Sequence, residues 1–422
     1  MKFLFLSSYY KPESTSSSRR TRDLHEAIVA RGNSIELYCP TPTRNVSKEV
    51  RREYKKRKRE TEYDGAMTVC RFSLWREGNF APLRALRYAV CELIFVWKGL
   101  RAKNVDVLAS GSTPPIHALT AVFLRKTRGI PFVYYLADIF PDSLVSAGIA
   151  RKNSLLWKIG NWVSNTIYQN ASKIIVISDR QKARLVERGV PAEKVEVIYL
   201  WVDENSVRRV ERSDNKLFDD LGLPRDKFYV TYAGNFGASQ NVELLLDCAD
   251  KLRGNDAIRF VIIGDGSQKQ KLIDKIANLK LDNVTLAPMQ PPERVPEVYS
   301  LGDVSFVICQ KGVGDGAFPS KAAVVMSVGT PLVASYDRDT DLCDLIVDNE
   351  AGLCVEPNDV DAAVDAIERL LHDPNLRARC SENEVKLARE KFSKEKSVPA
   401  SVEIYERVAR ENKEAKDAKR RR

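Results

Sequence analysis

The sequence predicts an α/β protein made of two successive doubly wound domains. Three observations carry that expectation. Short apolar runs alternate with longer amphipathic stretches, the pattern of parallel strands joined by helices. The rhythm breaks in a polar, Pro-containing segment near 203–228 and then restarts. A chain of 422 residues also exceeds one ordinary core and fits two.

The chain opens on KFLFL, residues 2–6. This run looks like a secretory leader, but it stops at Ser7 with no small-residue cleavage site, so the first buried strand is expected there. Further strands are expected at 34–39, 67–72, 105–109, 132–136, 173–177 and 195–198, with helices such as 20–31, 116–126 and 179–188 between them. After the polar segment, strands are expected at 229–233, 259–263, 284–287, 304–308, 332–334 and 352–355, nearly all followed by helices. From residue 359 the pattern is helical, and its last stretch, 394–410, is expected to return to the first domain. The domains so drawn are 1–204, 205–392, and a C-terminal helix with a basic tail at 393–422.

Hydrophobic residues at 44% and charged residues at 29% suit a folded soluble protein, and no uncharged apolar run approaches a membrane span. Eight cysteines are scattered singly beside only three histidines, which signals neither a zinc site nor a disulfide framework. A cytoplasmic protein with reduced thiols and no metal is expected. The net charge of +10 is uneven, concentrated in RREYKKRKR at 51–59 and KRRR at 419–422. Such runs bind nucleic acid or an anionic membrane surface, or are simply solvated loop and tail; with no nucleic-acid reader motif, the membrane surface is favoured. The segment 83–101 adds an amphipathic helix with Arg84, Arg87, Lys98 and Arg101 flanking apolar and aromatic residues. Such a helix lies in a membrane interface or in the core of the first sheet. A peripheral position on the inner face of the cell membrane is the resulting expectation.

Open parallel sheets bind ligands beyond the carboxyl ends of their strands, so the loops there are the places to inspect. Phe318-Pro319-Ser320-Lys321 leads into an apolar helix ending near Gly329. Pro319 suits a first helical turn, where Lys321 is unfavourable by roughly 0.3–1 kcal/mol unless an anion is shared with the free N–H groups. Gly234-Asn235-Phe236-Gly237 and Gly264-Asp265-Gly266 follow strands of the second domain, and their glycines permit close approach of a ligand or simply make turns. Tyr9-Tyr10-Lys11-Pro12-Glu13, then Ser14 to Ser18 and Arg19-Arg20, form a long polar loop after the first strand. Asp138 follows a strand and precedes Pro141, which suits a cap or turn as well as a cleft residue.

Taken in order, these loops resemble glycosyltransferase family 4, the retaining GT-B enzymes. The resemblance runs over almost the whole chain, through Tyr9 to Glu13, Tyr135-Leu136-Ala137-Asp138-Ile139-Phe140-Pro141-Asp142, Gly234 to Gly237, Gly264 to Gly266, and Pro319-Ser320-Lys321 up to Gly329-Thr330-Pro331. The Asp-Ile-Phe-Pro-Asp block is similar to the branch that builds surface polysaccharides, including acetamido-deoxy-sugar transferases. The resemblance implies a GT-B fold with two Rossmann-like domains facing an interdomain cleft. It implies transfer of a hexosyl or N-acetylhexosaminyl group from a nucleotide sugar, expected to be a UDP-sugar, without a metal. The acceptor it implies is a saccharide or a polyprenyl-diphosphate-linked saccharide.

Carried over residue by residue, Asp138 and Lys321 take catalytic places. Gly234, Asn235, Phe236, Gly237, Gly264, Asp265, Gly266, Phe318, Pro319, Ser320 and Lys321 take the donor side, and Glu13, Ser17 and Arg20 the acceptor side. The sequence departs from the family at two positions. Gly316 and Val324 stand where many members carry a pair of glutamates. The family's usual Arg and Lys after the second domain's first strand are Asn235 and Gln240. A non-catalytic GT-B subunit that binds a partner transferase or a glycan is the alternative these losses suggest.

Overall fold

The computed structural model of the chain describes residues 1–13, 18–78, 80–112, 114–142, 145, 151–314 and 318–421. Ser17 and Gly316 lie outside the described residues. The chain separates into two compact units, Met1–Ile198 with Val398–Arg422, and Tyr199–Ser397.

The first unit is built on eight strands: β1 (Lys2–Leu6), β2 (Ser34–Pro40), β3 (Arg59–Glu62), β4 (Met67–Phe72), β5 (Val107–Gly111), β6 (Phe132–Leu136), β7 (Lys173–Val176) and β8 (Val195–Val197). Their spatial order is β3-β4-β2-β1-β5-β6-β7-β8, so the winding reverses between β1 and β5. Alternation along β1 sets the layers. Leu4 and Leu6 pack with helices Ala81–Arg101, His117–Arg128 and Leu155–Asn170, while Phe3 and Phe5 face Ile28 and the C-terminal residues Val402, Tyr405 and Val408. Burying one such side chain is worth about 1.5–3 kcal/mol. The N-terminal apolar run is therefore a strand covered on both faces, as parallel sheets require. The long helix Lys394–Arg420 joins this unit from Val398 onward, where Glu406 accepts from Asn33 Nδ2 at 2.8 Å and pairs with Arg31 at 3.1 Å.

The basic run at 51–59 is not a single solvated loop. Ser47 caps a helix, Lys48–Lys56, by accepting from the Val50 N–H at 3.2 Å, and Arg59 opens β3, an antiparallel edge strand on β4. With the sequence RETE, β3 is too polar for an apolar pattern to mark it. Arg51 turns its guanidinium onto the carbonyls of Thr41, Pro42 and Leu74, and Arg57 pairs with Glu53 and Glu60. Part of the run's charge is thus spent inside the unit.

The second unit has six parallel strands: β9 (Phe228–Asn235), β10 (Ile258–Asp265), β11 (Val284–Ala287), β12 (Val304–Ile308), β13 (Leu332–Ser335) and β14 (Leu353–Val355), ordered β11-β10-β9-β12-β13-β14. β9 and β10 run two residues past their expected ends. Gly264 pairs with Gly234 and Asp265 with Asn235, so these residues are the last rungs of the ladder rather than turns. Helix Ser320–Val328 is buried through Ala322, Ala323, Val325, Met326 and Val328 and packs against helix Pro374–Lys391. Among the described residues no helix is long and apolar enough to cross a membrane.

Candidate active site

In the second unit, the ends of β9 and β10 meet the start of helix Ser320–Val328. Pro319 is the residue before the helix, with extended backbone, rather than its first turn, and among the described residues no side chain caps the opening N–H groups. Those amides carry the positive end of the helix dipole. Lys321 Nζ donates to Tyr232 Oη at 2.8 Å, and Tyr232 passes its own proton to the Asn235 carbonyl at 2.9 Å. The hydroxyl thus orients the ammonium without neutralising it. Among the described residues no carboxylate pairs with Lys321, and burial draws its ammonium down to about 8 against a small opposing effect of the Cys309 thiol. A mostly buried cation in a helix's first turn is unfavourable twice over. An anion shared between Lys321 and the helix amides relieves both costs.

The glycines leave open backbone beside Lys321. Gly234 has φ +146°, and a Cβ there would sit 3.0 Å from Lys321 Nζ. A Cβ on Gly264 would come within 1.9 Å of the Gly234 carbonyl oxygen, so the two strand ends pair this closely only because Gly264 is bare. Beside them Asn235, Asp265 and Ser320 are exposed. The Gly266 N–H donates to Asp265 Oδ1 at 2.8 Å and, with Lys269, holds that carboxyl below its usual range. Gln240 Oε1 lies next to Gly237, buried and without a hydrogen-bond partner.

Two residues expected to line this site are packing residues instead. Phe318 is buried edge-on to Tyr199 at 5.9 Å and against Phe392 at 5.3 Å. The Phe236 ring is fully buried against Gly264, and it is the Phe236 backbone that works, donating to the Asp265 carbonyl at 2.8 Å. Val324 lies one helical turn beyond Lys321 and is partly exposed, with no group that grips a ribose hydroxyl.

In the first unit Asp138 follows β6 on a segment fixed by Ser112 Oγ, which accepts from the Ala137 N–H at 3.0 Å, and by Gln181 Nε2, which donates to the Ala137 carbonyl at 2.9 Å. Asp138 caps nothing: no described group hydrogen-bonds its carboxyl, which protein crowding raises above the usual range although the residue is exposed. The Tyr135 hydroxyl lies within electrostatic reach of both Asp138 and Arg20, which brings one predicted acceptor-side residue to the same edge. Burial raises that hydroxyl, and Arg20 opposes the shift.

Glu13 is different. It is buried, and its carboxylate accepts from the N–H groups of Thr43 at 2.7 Å, Arg44 at 2.8 Å and Tyr10 at 3.3 Å. It shapes a loop rather than presenting a bare carboxylate to an acceptor. That loop carries Arg44, which stacks over Tyr9 at 4.3 Å and clamps Glu77 at 2.9 Å, while Tyr9 and Tyr88 donate to the same Glu77 carboxylate at 3.0 and 2.9 Å. Nearby, Ser8 contacts His117, whose ring also contacts Glu92, and Thr120 donates to Glu92 at 2.6 Å. Sequence reading missed Tyr232, Glu77 and His117, because their partners lie up to 109 residues away. Among the described residues no group of three or more His, Cys, Asp or Glu is placed to hold a metal ion.

Residues 17–206 match the family described as Glycosyltransferase Family 4, and residues 213–387 match Glycosyl transferases group 1. The chain belongs to glycosyltransferase family 4. This glycosyltransferase is 26% identical over 380 residues to a colanic acid biosynthesis glycosyl transferase named WcaI from Escherichia coli K12, covering 88% of this chain and 92% of that one. It is 29% identical over 258 residues to the alpha-D-kanosaminyltransferase of Streptomyces kanamyceticus, covering 59% and 64%. Among solved structures it superposes on a sucrose-phosphate synthase of Thermosynechococcus elongatus with a TM-score of 0.73 at 18% identity, covering 96% and 98%. The Anabaena HepE structure in complex with UDP gives 0.71 at 16% identity, covering 96% and 99%. These likenesses establish the GT-B fold, the fold of enzymes that transfer sugars from nucleotide donors.

Proposed function

We propose that this glycosyltransferase moves a hexosyl or N-acetylhexosaminyl group from a UDP-sugar, with retention, to a saccharide carried on polyprenyl diphosphate in surface-polysaccharide assembly. The observation that carries the donor half is Lys321, a buried cation that faces Gly234, is held by the Tyr232 hydroxyl, and has no described counter-ion. Lys321 and the uncapped N–H groups of its helix would take up the charge that develops on the leaving diphosphate. That charge is supplied by the chain itself, so the proposal assigns no metal. The diphosphate oxygen then accepts the acceptor's proton on the same face of the sugar. Asp138, exposed yet crowded by protein, is the first unit's candidate for a role in the transfer step.

The polysaccharide role rests on the WcaI relative, and the uridine base on the likeness to the HepE–UDP complex. The lipid-linked acceptor places the enzyme on the cytoplasmic side of a membrane, where the basic surface of the first unit meets anionic head groups. Donor hydrolysis measured with UDP-, GDP- and dTDP-sugars tests the reading. Hydrolysis of a UDP-sugar that is lost in Lys321→Met supports it. UDP binding with no sugar release from any donor would instead favour the non-catalytic subunit suggested by Val324. Proton NMR of the transferred sugar's anomeric centre decides retention.

A further inference from the structure

In the first unit, helix His117–Arg128 packs between Ala81–Arg101 on one side and Leu155–Asn170 on the other. Gly99 lets the first pair approach closely, since a Cβ there would meet Leu124 at 2.4 Å. The outer faces of the two flanking helices are apolar and uncovered. Leu93, Trp97 and Leu100 recur at helical spacing on one, with Leu93 70% and Trp97 53% exposed. Leu155, Ile159 and Trp162 recur on the other, with Leu155 75% and Trp162 64% exposed. The helix between them adds Phe123, 41% exposed, so all three helices of this layer expose large apolar side chains in greater number than the scattered exposure normal on a soluble surface.

Charge says what covers it. The three helices carry eight Lys and Arg residues, of which Arg87 is buried and Arg128 is spent on backbone carbonyls, and a single carboxylate, Glu92, which is occupied by His117 and Thr120. The Arg101 guanidinium lies over the Trp97 ring at 4.0 Å and Lys98 at 5.3 Å, so cations sit at the height of an aromatic anchor. Lys158 is exposed between Leu155 and Trp162. An apolar face with tryptophans, cationic flanks and almost no acid is complementary to the head-group boundary of an anionic bilayer.

We infer that helices Ala81–Arg101 and Leu155–Asn170 together form the docking face by which this enzyme rests on an anionic phospholipid bilayer. The inference rests on the membrane-side acceptor of the proposed function and names the surface that reaches it. It also moves the weight of docking from the run at 51–59 to a pair of helices.

The test is co-sedimentation of the full chain with vesicles of phosphatidylglycerol and phosphatidylethanolamine, with phosphatidylcholine vesicles as comparison. The wild type should sediment with the anionic vesicles. Leu155→Ser with Trp162→Ser should lower that partitioning about tenfold or more, and Trp97→Ser should lower it further. Arg52→Gln with Lys55→Gln, on the basic run, should change it by less than about threefold. These side chains are exposed, so thermal unfolding should be unaltered, which separates lost docking from lost folding. Equal sedimentation of the Leu155 and Trp162 variant would overturn the inference. So would a wild-type dimer in sedimentation velocity that the same substitutions dissociate, with no vesicle binding, because a second copy would then cover the face. UDP-sugar hydrolysis in solution is the separate readout for the proposed function. Hydrolysis without vesicle binding sinks the docking face alone, and vesicle binding without nucleotide binding sinks the donor reading alone.

Discussion

The two units expose unlike charges at their ligand-binding edges. In the second unit the edge residue is a cation, Lys321, oriented by a tyrosine hydroxyl and facing bare backbone at Gly234. In the first it is a carboxyl, Asp138, on a segment pinned at Ala137 from two sides. Other charges in each unit are matched, as Arg212 with Asp303 at 2.6 Å and Arg44 with Glu77 at 2.9 Å, while the fully buried Arg87 and Glu384 keep atoms with no partner among the described residues. An unmatched charge costs stability, and one beside an open strand end is a candidate for work done on a ligand. In the proposed function the cation serves the diphosphate and the carboxyl the transfer step.

Replacing the cation should have the largest effect. Lys321→Met keeps the side-chain length and removes the charge. It should lower kcat/KM for the nucleotide sugar by about 10²–10³-fold. The same change should raise the unfolding free energy of the ligand-free protein at pH 7 by about 1 kcal/mol, because a buried ammonium held near 8 disfavours the folded state there. The sign is specific. Depressing a lysine below its usual 10.5 means the unfolded chain binds the extra proton, so wild-type stability should rise with pH between about 8 and 10.5, and the variant should lose that rise. Activity kinetics and denaturation at pH 7 and 9 check both halves. A variant that is less stable and still binds UDP would break the comparison.

Replacing the carboxyl should act on turnover instead. Asp138→Asn should lower kcat by about 10²-fold while the Kd for UDP, measured by calorimetry, moves less than about twofold. A matching loss of UDP affinity would place Asp138 with the donor rather than the reaction.

The Tyr232 hydroxyl should contribute less. Tyr232→Phe keeps the ring and removes the partner of Lys321, so UDP affinity should fall about fivefold. Diphosphate favours the ammonium form, so wild-type affinity should be full below about 8 and decline above it. In the variant that decline should begin at lower pH. Unchanged pH dependence would show that the hydroxyl does not set the ammonium's state.

Much of this architecture is legible in the sequence, because apolar runs such as KFLFL and the restart after the polar segment follow from periodicity. The helix behind the proposed anion site is legible too, since Pro319 and Gly329 bracket it. What escapes is pairing at a distance. Nothing near Lys321 in sequence announces Tyr232, which lies 89 residues earlier, and nothing in Glu13 announces backbone groups 30 residues on. Helix Leu155–Asn170 shows a further blindness: its apolar face has the same periodicity as a core-facing one, and only the fold tells which side is uncovered.

Glu13 should show the smallest effect, and it tests whether the acceptor-side expectation can stand. Its Oε1 serves the Thr43 and Arg44 N–H groups, and Oε2 serves Tyr10. Burial raises the carboxyl and those three N–H groups oppose the shift, so the charged form is both costly and well used. Glu13→Gln keeps one oxygen for Thr43 and Arg44, loses the acceptor facing Tyr10, and removes the cost of a buried charge. The opposing changes should leave a net loss of about 1 kcal/mol in unfolding free energy. Because the loop still carries Arg44 to Glu77, KM for the acceptor should change less than about threefold. An acceptor KM raised tenfold or more, with stability untouched, would put Glu13 on the acceptor itself and make this edge as open as the one at Lys321.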